Sequence, residues 1–255
     1  MSTLMITALV LGALFIIIIL VYVSQQVEYR KLEKARRKAE LTERIRRCAD
    51  LSEILPGQMM TPALKLMMSL VELKLSLRLQ PMDPDNQALS ERIEELEILI
   101  GQGDSITVRN PPQQILNENK AKEVRFLLEG LHGMISRAAK ENLLSISEAR
   151  HWVGEVRHML VQLHIDFFTN IGVQLLQHDK PRQARLAFER AVQFLRKQTD
   201  QDRYRTELRT LAQHLAHAND LALEREPTVE KPDELTVGLS QEEIDDPWKK
   251  KQVYD

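Results

Sequence analysis

Seven histidines, one cysteine and two isolated aromatics in an acidic stretch are the residues of this chain with chemistry to offer. His214 and His217 stand three apart, so on a helix they share one face, a spacing from which two imidazoles can grip one metal ion. No third ligand follows nearby and no H-E-x-x-H run occurs, so the pair is expected to pack or face solvent. His151, His158 and His164 fall along another helical stretch, without a carboxylate set at ligand spacing. Cys48 sits beside Arg46 and Arg47, cations that would favour a thiolate, but no candidate base accompanies it and an inert thiol is expected. A single cysteine also excludes an internal disulfide and a thiolate zinc site. Phosphate-cradling glycine loops and a G-x-S-x-G elbow are missing. The expectation is therefore no catalytic residue, no metal site and no cofactor. Trp248 and Tyr254, in EEIDDPWKKKQVYD, are of another kind. Aromatics flanked by charge suit partner docking, because Trp and Tyr dominate binding hot spots; the alternative is a solubilising tail that contains them.

The composition narrows the elements that could position such residues. The 255 residues carry 35 Lys plus Arg against 37 Asp plus Glu, a net charge of −2, with nine Gly, ten Pro and few aromatics. That mixture excludes collagen-like and disulfide-stapled classes and weighs against a large β-sandwich. Near-neutral charge argues against a dedicated nucleic-acid binder.

Residues 4–23, LMITALVLGALFIIIILVYV, hold no charge. As a helix they span about 30 Å, the thickness of a bilayer's hydrocarbon core. A cleaved signal would show basic residues before a shorter apolar core, then a small-residue cleavage site. None of these is present, so residues 1–25 are expected to be a retained transmembrane anchor. The Lys/Arg-rich flank from Arg30 to Arg47 places the carboxyl side in the cytoplasm, with Tyr22 and Tyr29 near the interface. In a Gram-negative cell this would be the inner membrane. Residues 26–55 continue without Gly or Pro as a basic juxtamembrane helix, with too few clean heptads to specify a coiled coil. Its basic face either touches anionic lipid or simply satisfies topology.

Beyond Pro56 and Gly57 the pattern is helical as far as residue 223, so the fold class is all-α. Thr61 and Pro62 form a cap and a first helical residue. The run from Ala63 to Gln80 alternates Leu with polar residues as a strand would, yet its length and Leu/Met content favour helix. Five methionines between Met59 and Met82 suit either a packed core or an adaptable groove. Further helices are expected over 86–100, 115–139, 147–163 with an extension to 178, 181–197 and 201–223. Residues 224–255 carry ten acidic residues against five basic ones, with three prolines. They are expected to form a disordered acidic tail.

Within the expected helical domain, 58–223, the stretch beginning at Phe167 reads FFTNIGVQLLQHDKPRQARLAFERAVQFLRK. It resembles a tetratricopeptide repeat over about residues 165–198, roughly an eighth of the chain. Phe168 takes the place of the first aromatic, Ile171 and Gly172 that of the Leu-Gly pair, and Leu175 the second large position. Ala184, Phe188 and Ala191 then follow at the small–large–small spacing of the second helix. The departures are Phe for Trp, Leu for Tyr, and Arg196 where Pro is common. The resemblance implies that Gly172 and Ala184 let two antiparallel helices approach, with Phe168, Leu175 and Phe188 filling the space between them. One repeat needs stacked neighbours. Ala149, Val153 and Val156 repeat the second-helix spacing upstream, and Leu208, Leu211, Leu215 and Ala218 would face inward from an end helix.

Together these features point to a membrane-anchored protein–protein interaction adaptor with a cytoplasmic helical-repeat domain, spanning the membrane once and binding another protein. The rival is a structural scaffold that self-associates through the juxtamembrane helix and the Leu/Met-rich helices.

Overall fold

The computed structural model describes residues 3–224, with side chains at Tyr22 and from Ser24 onward. Seven α-helices are described: α1 Thr3–Ile54, α2 Pro62–Leu79, α3 Gln87–Gly101, α4 Glu118–Lys140, α5 Ile146–Gln177, α6 Pro181–Arg196 and α7 Arg205–Glu224. No strand occurs among the described residues, so the alternating leucines of α2 lie on a helix. A helix that is apolar nearly all round needs cover on several sides, and α2 packs against both α1 and α3.

The chain divides into two compact units, Met1–Ile54 with Thr61–Val108, and Leu55–Met60 with Arg109–Asp255. This division differs from the expected 26–55 and 58–223 segments. The reason is the carboxyl half of α1, which is a packing element and not a free stalk. From Ser24 to Arg37 its side chains are exposed. Lys38 then pairs with Asp83 at 2.9 Å, Leu41 and Ile45 pack on Leu79, Leu89 and Ile93, and Cys48 is buried. Thr61 caps α2 by accepting from the Leu64 amide at 3.1 Å, and Asn86 does the same for α3 through Leu89. Each cap satisfies an amide that the first helical turn leaves without a partner.

In the first unit the core holds a polar seam. Glu72 of α2 is 2 % exposed and accepts from Arg92 Nε of α3 at 2.7 Å. Cys48 Sγ donates to the Met68 carbonyl at 3.4 Å, and burial, with the Glu72 charge second, pushes its thiol up to about 12. The expected influence of Arg46 and Arg47 on this thiol is not found, because both arginines turn to Glu43 on the helix surface. Cys48 is a core residue, inert because its thiolate would be desolvated.

In the second unit α4, α5, α6 and α7 follow one another, each packed mainly on its neighbours in sequence. Two of the connections share one design. Asn142 after α4 and Asp179 after α5 take left-handed backbone conformations, with φ of 57° and 65°. In each case the next amide closes the helix end, Leu143 onto the Ala138 carbonyl at 2.8 Å and Lys180 onto the Leu175 carbonyl at 2.9 Å. Asn and Asp tolerate this conformation best after glycine, which is why the helices stop there. Ser145 and Glu148 then start α5 with a reciprocal capping box, and Pro181 starts α6. The segment 55–60 is stitched to residues 109–115: Gly57 donates to the Pro111 carbonyl at 3.0 Å, and Gln58 exchanges two hydrogen bonds with the Gln113 backbone. A Cβ on Gly57 would stand 2.2 Å from the Asn110 carbonyl oxygen, so only glycine fits.

Four of the five clustered methionines are core, and Met82 is half-buried. Met59 and Met60 are buried in the second unit, Met67 and Met68 in the first.

Candidate functional site

The seven residues carrying the repeat resemblance come together where α5 and α6 pack. Phe168, Ile171, Gly172 and Leu175 lie on α5 and Ala184, Phe188 and Ala191 on α6, and all seven are buried. At 3.6 residues per turn, steps of three and four hold each set on one face. Gly172 meets Phe188 directly: a Cβ built there would stand 2.4 Å from ring carbon Cε1. Ala184 is fully buried, the small side chain that lets the start of α6 lie close.

Histidines and a further phenylalanine add rings to this packing. His164 of α5 stacks on Phe194 of α6 with ring centroids 3.6 Å apart, and lies 4.6 Å from Phe168. Burial pushes the His164 imidazole down to about 3, so it packs as a neutral aromatic ring. His214 of α7 stacks on Phe188 at 5.2 Å. His214 is half-buried and His217 exposed, so the pair straddles the edge of the packing. Among the described residues, no group of three or more His, Cys, Asp or Glu is placed to hold a metal ion.

The turn after α6 is tied back to α5 by polar contacts. His158 Nδ1 and the Tyr204 hydroxyl are 2.9 Å apart, and Arg203 reaches both carboxylate oxygens of Glu155 at 3.1 Å. Burial, then the Arg203 charge, lowers the basicity of His158, while burial raises the Tyr204 hydroxyl. These groups fasten the α5–α7 junction. Of the residues expected to face inward from the last helix, Leu211 and Ala218 are buried, and Leu208 and Leu215 half-buried. Trp152 is buried in α5.

Sequence reasoning missed the His164–Phe194 stack and the paired Asn142 and Asp179 turns. The first had a signal in the apolar neighbours of His164. The second had one in Asx residues just past two apolar helix ends. The expected docking residues Trp248 and Tyr254, and the expected tail beyond Glu224, lie outside the described residues.

One described helix, α5, is long and apolar enough to cross a membrane, but more than half of its apolar window is buried inside the protein. It is packed by α4 and α6, as a core helix would be. Comparison with protein-family models, curated proteins and solved structures returns no match for this chain.

Proposed function

We propose that the protein is a membrane-anchored adaptor, held by residues 4–23 and carrying a cytoplasmic array of helical hairpins that binds another protein. The observation that carries the array is the repeated turn: Asn142 and Asp179 close α4 and α5 with the same left-handed residue and the same following hydrogen bond. Successive helices packed on their sequence neighbours are the construction principle of solenoids, which work as extended binding surfaces. The Gly172–Phe188 contact supports a tetratricopeptide-like hairpin over residues 165–198. The anchor is supported by the uncharged run and its basic cytoplasmic flank. A plain helix supplies every backbone hydrogen bond internally, as the bilayer requires, and α1 runs unbroken from Thr3 to Ile54. In this reading Trp248 and Tyr254 give the tail a second docking element.

The test is purification of the full chain after cross-linking in intact membranes, beside an Ala184→Leu variant and a chain lacking 226–255. A distinct protein captured by the intact chain and lost with Ala184→Leu supports the hairpin array as the binding element. Loss only with the tail deletion moves recognition to Trp248 and Tyr254. A stable homo-oligomer with no second protein favours the self-associating scaffold.

A further inference from the structure

The exposed side of α6 is a basic stripe. Between Lys180 and Lys197 the sequence holds one carboxylate, Glu189, and Gln193 already engages it at 3.2 Å. Arg182, Arg185, Glu189, Gln193 and Arg196 follow at steps of three and four, so they line one face about 21 Å long. Arg185, Arg196 and Lys197 are exposed and Arg182 is half-buried. Ion pairs on other helices of this unit include Lys120–Glu123, Arg125–Glu129 and Arg203–Glu155.

An acidic segment follows α7 in the sequence. Phe188 stacks on His214, and Gln201, in the turn joining the two helices, donates to the Arg196 carbonyl at 2.7 Å, so α6 and α7 run antiparallel. Six residues towards the start of α6 from Phe188 is Arg182; six residues towards the end of α7 from His214 is Asp220. The chain therefore leaves α7 at Glu224 beside the end of α6 that carries Arg182 and Arg185. Residues 226–246 hold eight carboxylates against the single Lys231. Four of them, Glu226, Glu230, Asp233 and Glu234, fall within nine residues, which extended cover about 26 Å. That length matches the stripe.

We propose that residues 226–246 dock on the arginine stripe of α6, an intramolecular contact that competes with any acidic partner for the same face. A tether of this length holds the segment at millimolar effective concentration, so individually weak surface ion pairs suffice, and salt weakens them. The proposal stands apart from the repeat resemblance, since it needs only the exposed charges and the antiparallel α6–α7 pair.

A fluorescent peptide of residues 226–246, titrated by anisotropy into the detergent-solubilised chain, tests it. The chain lacking 226–255 should bind the peptide, and the intact chain at least tenfold more weakly because its own segment occupies the stripe. Arg185→Glu in the shortened chain should weaken binding fivefold or more, and so should Arg196→Glu, while Lys140→Glu, an equal charge change on α4, should not. Trp152 emission and helical circular dichroism verify that each variant is folded. Equal binding to intact and shortened chains overturns the proposal, as does an equal loss with Lys140→Glu. Failure of the peptide to bind, with arginine-dependent capture of phosphatidylglycerol vesicles instead, overturns it in favour of a lipid surface.

Discussion

Gly172 on α5 lies against the ring of Phe188 on α6 with no room for one more carbon, since a Cβ there would stand 2.4 Å from Cε1 and 2.5 Å from Cζ. Phe188 is fully buried and also stacks on His214, so its ring has nowhere to retreat. The contact thus links three successive helices through one side chain.

Gly172→Ala should destabilise the second unit by about 1–3 kcal/mol, the overpacking cost exceeding the roughly 1 kcal/mol that alanine gains over glycine in a helix. Gly154 is the internal control. It lies on the same helix with nothing within 4 Å of where an alanine methyl would stand, so Gly154→Ala should stabilise by about 0.5–1 kcal/mol. Urea midpoints followed by Trp152 emission, in a Trp248→Phe background, measure both. Shifts of the same sign would mean that Phe188 yields.

Ala184→Leu should also destabilise, by about 1–3 kcal/mol, because Ala184 is fully buried in the same hairpin. An unchanged transition would show that α6 can move away from α5 without cost.

In the first unit, Arg92→Met would leave the Glu72 carboxylate buried without its ion partner, and Glu72→Met supplies the other single variant. The expected loss is about 2–4 kcal/mol, below the full cost for a wholly buried pair because Arg92 itself is half-exposed to water. Replacing both, as Glu72→Met with Arg92→Met, should recover most of that stability. Thermal melts of the four forms make a double-mutant cycle, and additive losses would contradict coupling between the two side chains.

His164 supplies a pH signature. Its folded-state value, about 3, lies below the ordinary 6.5 of an unfolded histidine, so the unfolded chain binds the extra proton between those values. Stability contributed by the neutral ring is complete above about pH 6.5 and declines as pH falls, by up to about 1.4 kcal/mol per unit. Asp166, raised by burial, acts in the opposite sense, losing stability as pH rises above its ordinary range, so the comparison must be with His164→Leu in otherwise identical protein. The difference in urea midpoint between the two should change from pH 7 to pH 5. A constant difference would mean that His164 takes up its proton equally in the folded and unfolded chains, against a buried neutral ring.

Much of the helical order was legible in the sequence because it rests on local rules. Thr61–Pro62 and Asn86 are start signals whose side chains or rings act within one turn, whereas the start of α5, expected at residue 147, is capped two residues earlier by Ser145. The α5–α6 positions from Phe168 to Ala191 were legible because steps of three and four place apolar residues on facing sides. What stayed hidden depends on partners distant in sequence. The Arg92–Glu72 pair joins two helices, and each residue alone reads as surface charge. Cys48 reads as inert for want of a base, whereas its burial against Met68 of α2 depends on a helix that its own neighbours do not reveal. Gly57 reads as a simple helix breaker, whereas its tight contact is with Asn110, 53 residues away. The division into two units was equally hidden, because nothing in the composition of residues 38–54 separates a packed helix from an exposed stalk.

The proposed membrane anchor is residues 4–23, and α5 is the described helix that could rival them by length and hydropathy. Deleting residues 4–23 and fractionating cells with an alkaline carbonate wash separates the two directly. The intact chain should stay in the membrane pellet and the deleted chain should move to the soluble fraction with its helical signature retained. A deleted chain that remains in the washed membrane, resistant to extraction, would contradict the amino-terminal anchor and require another segment to be embedded.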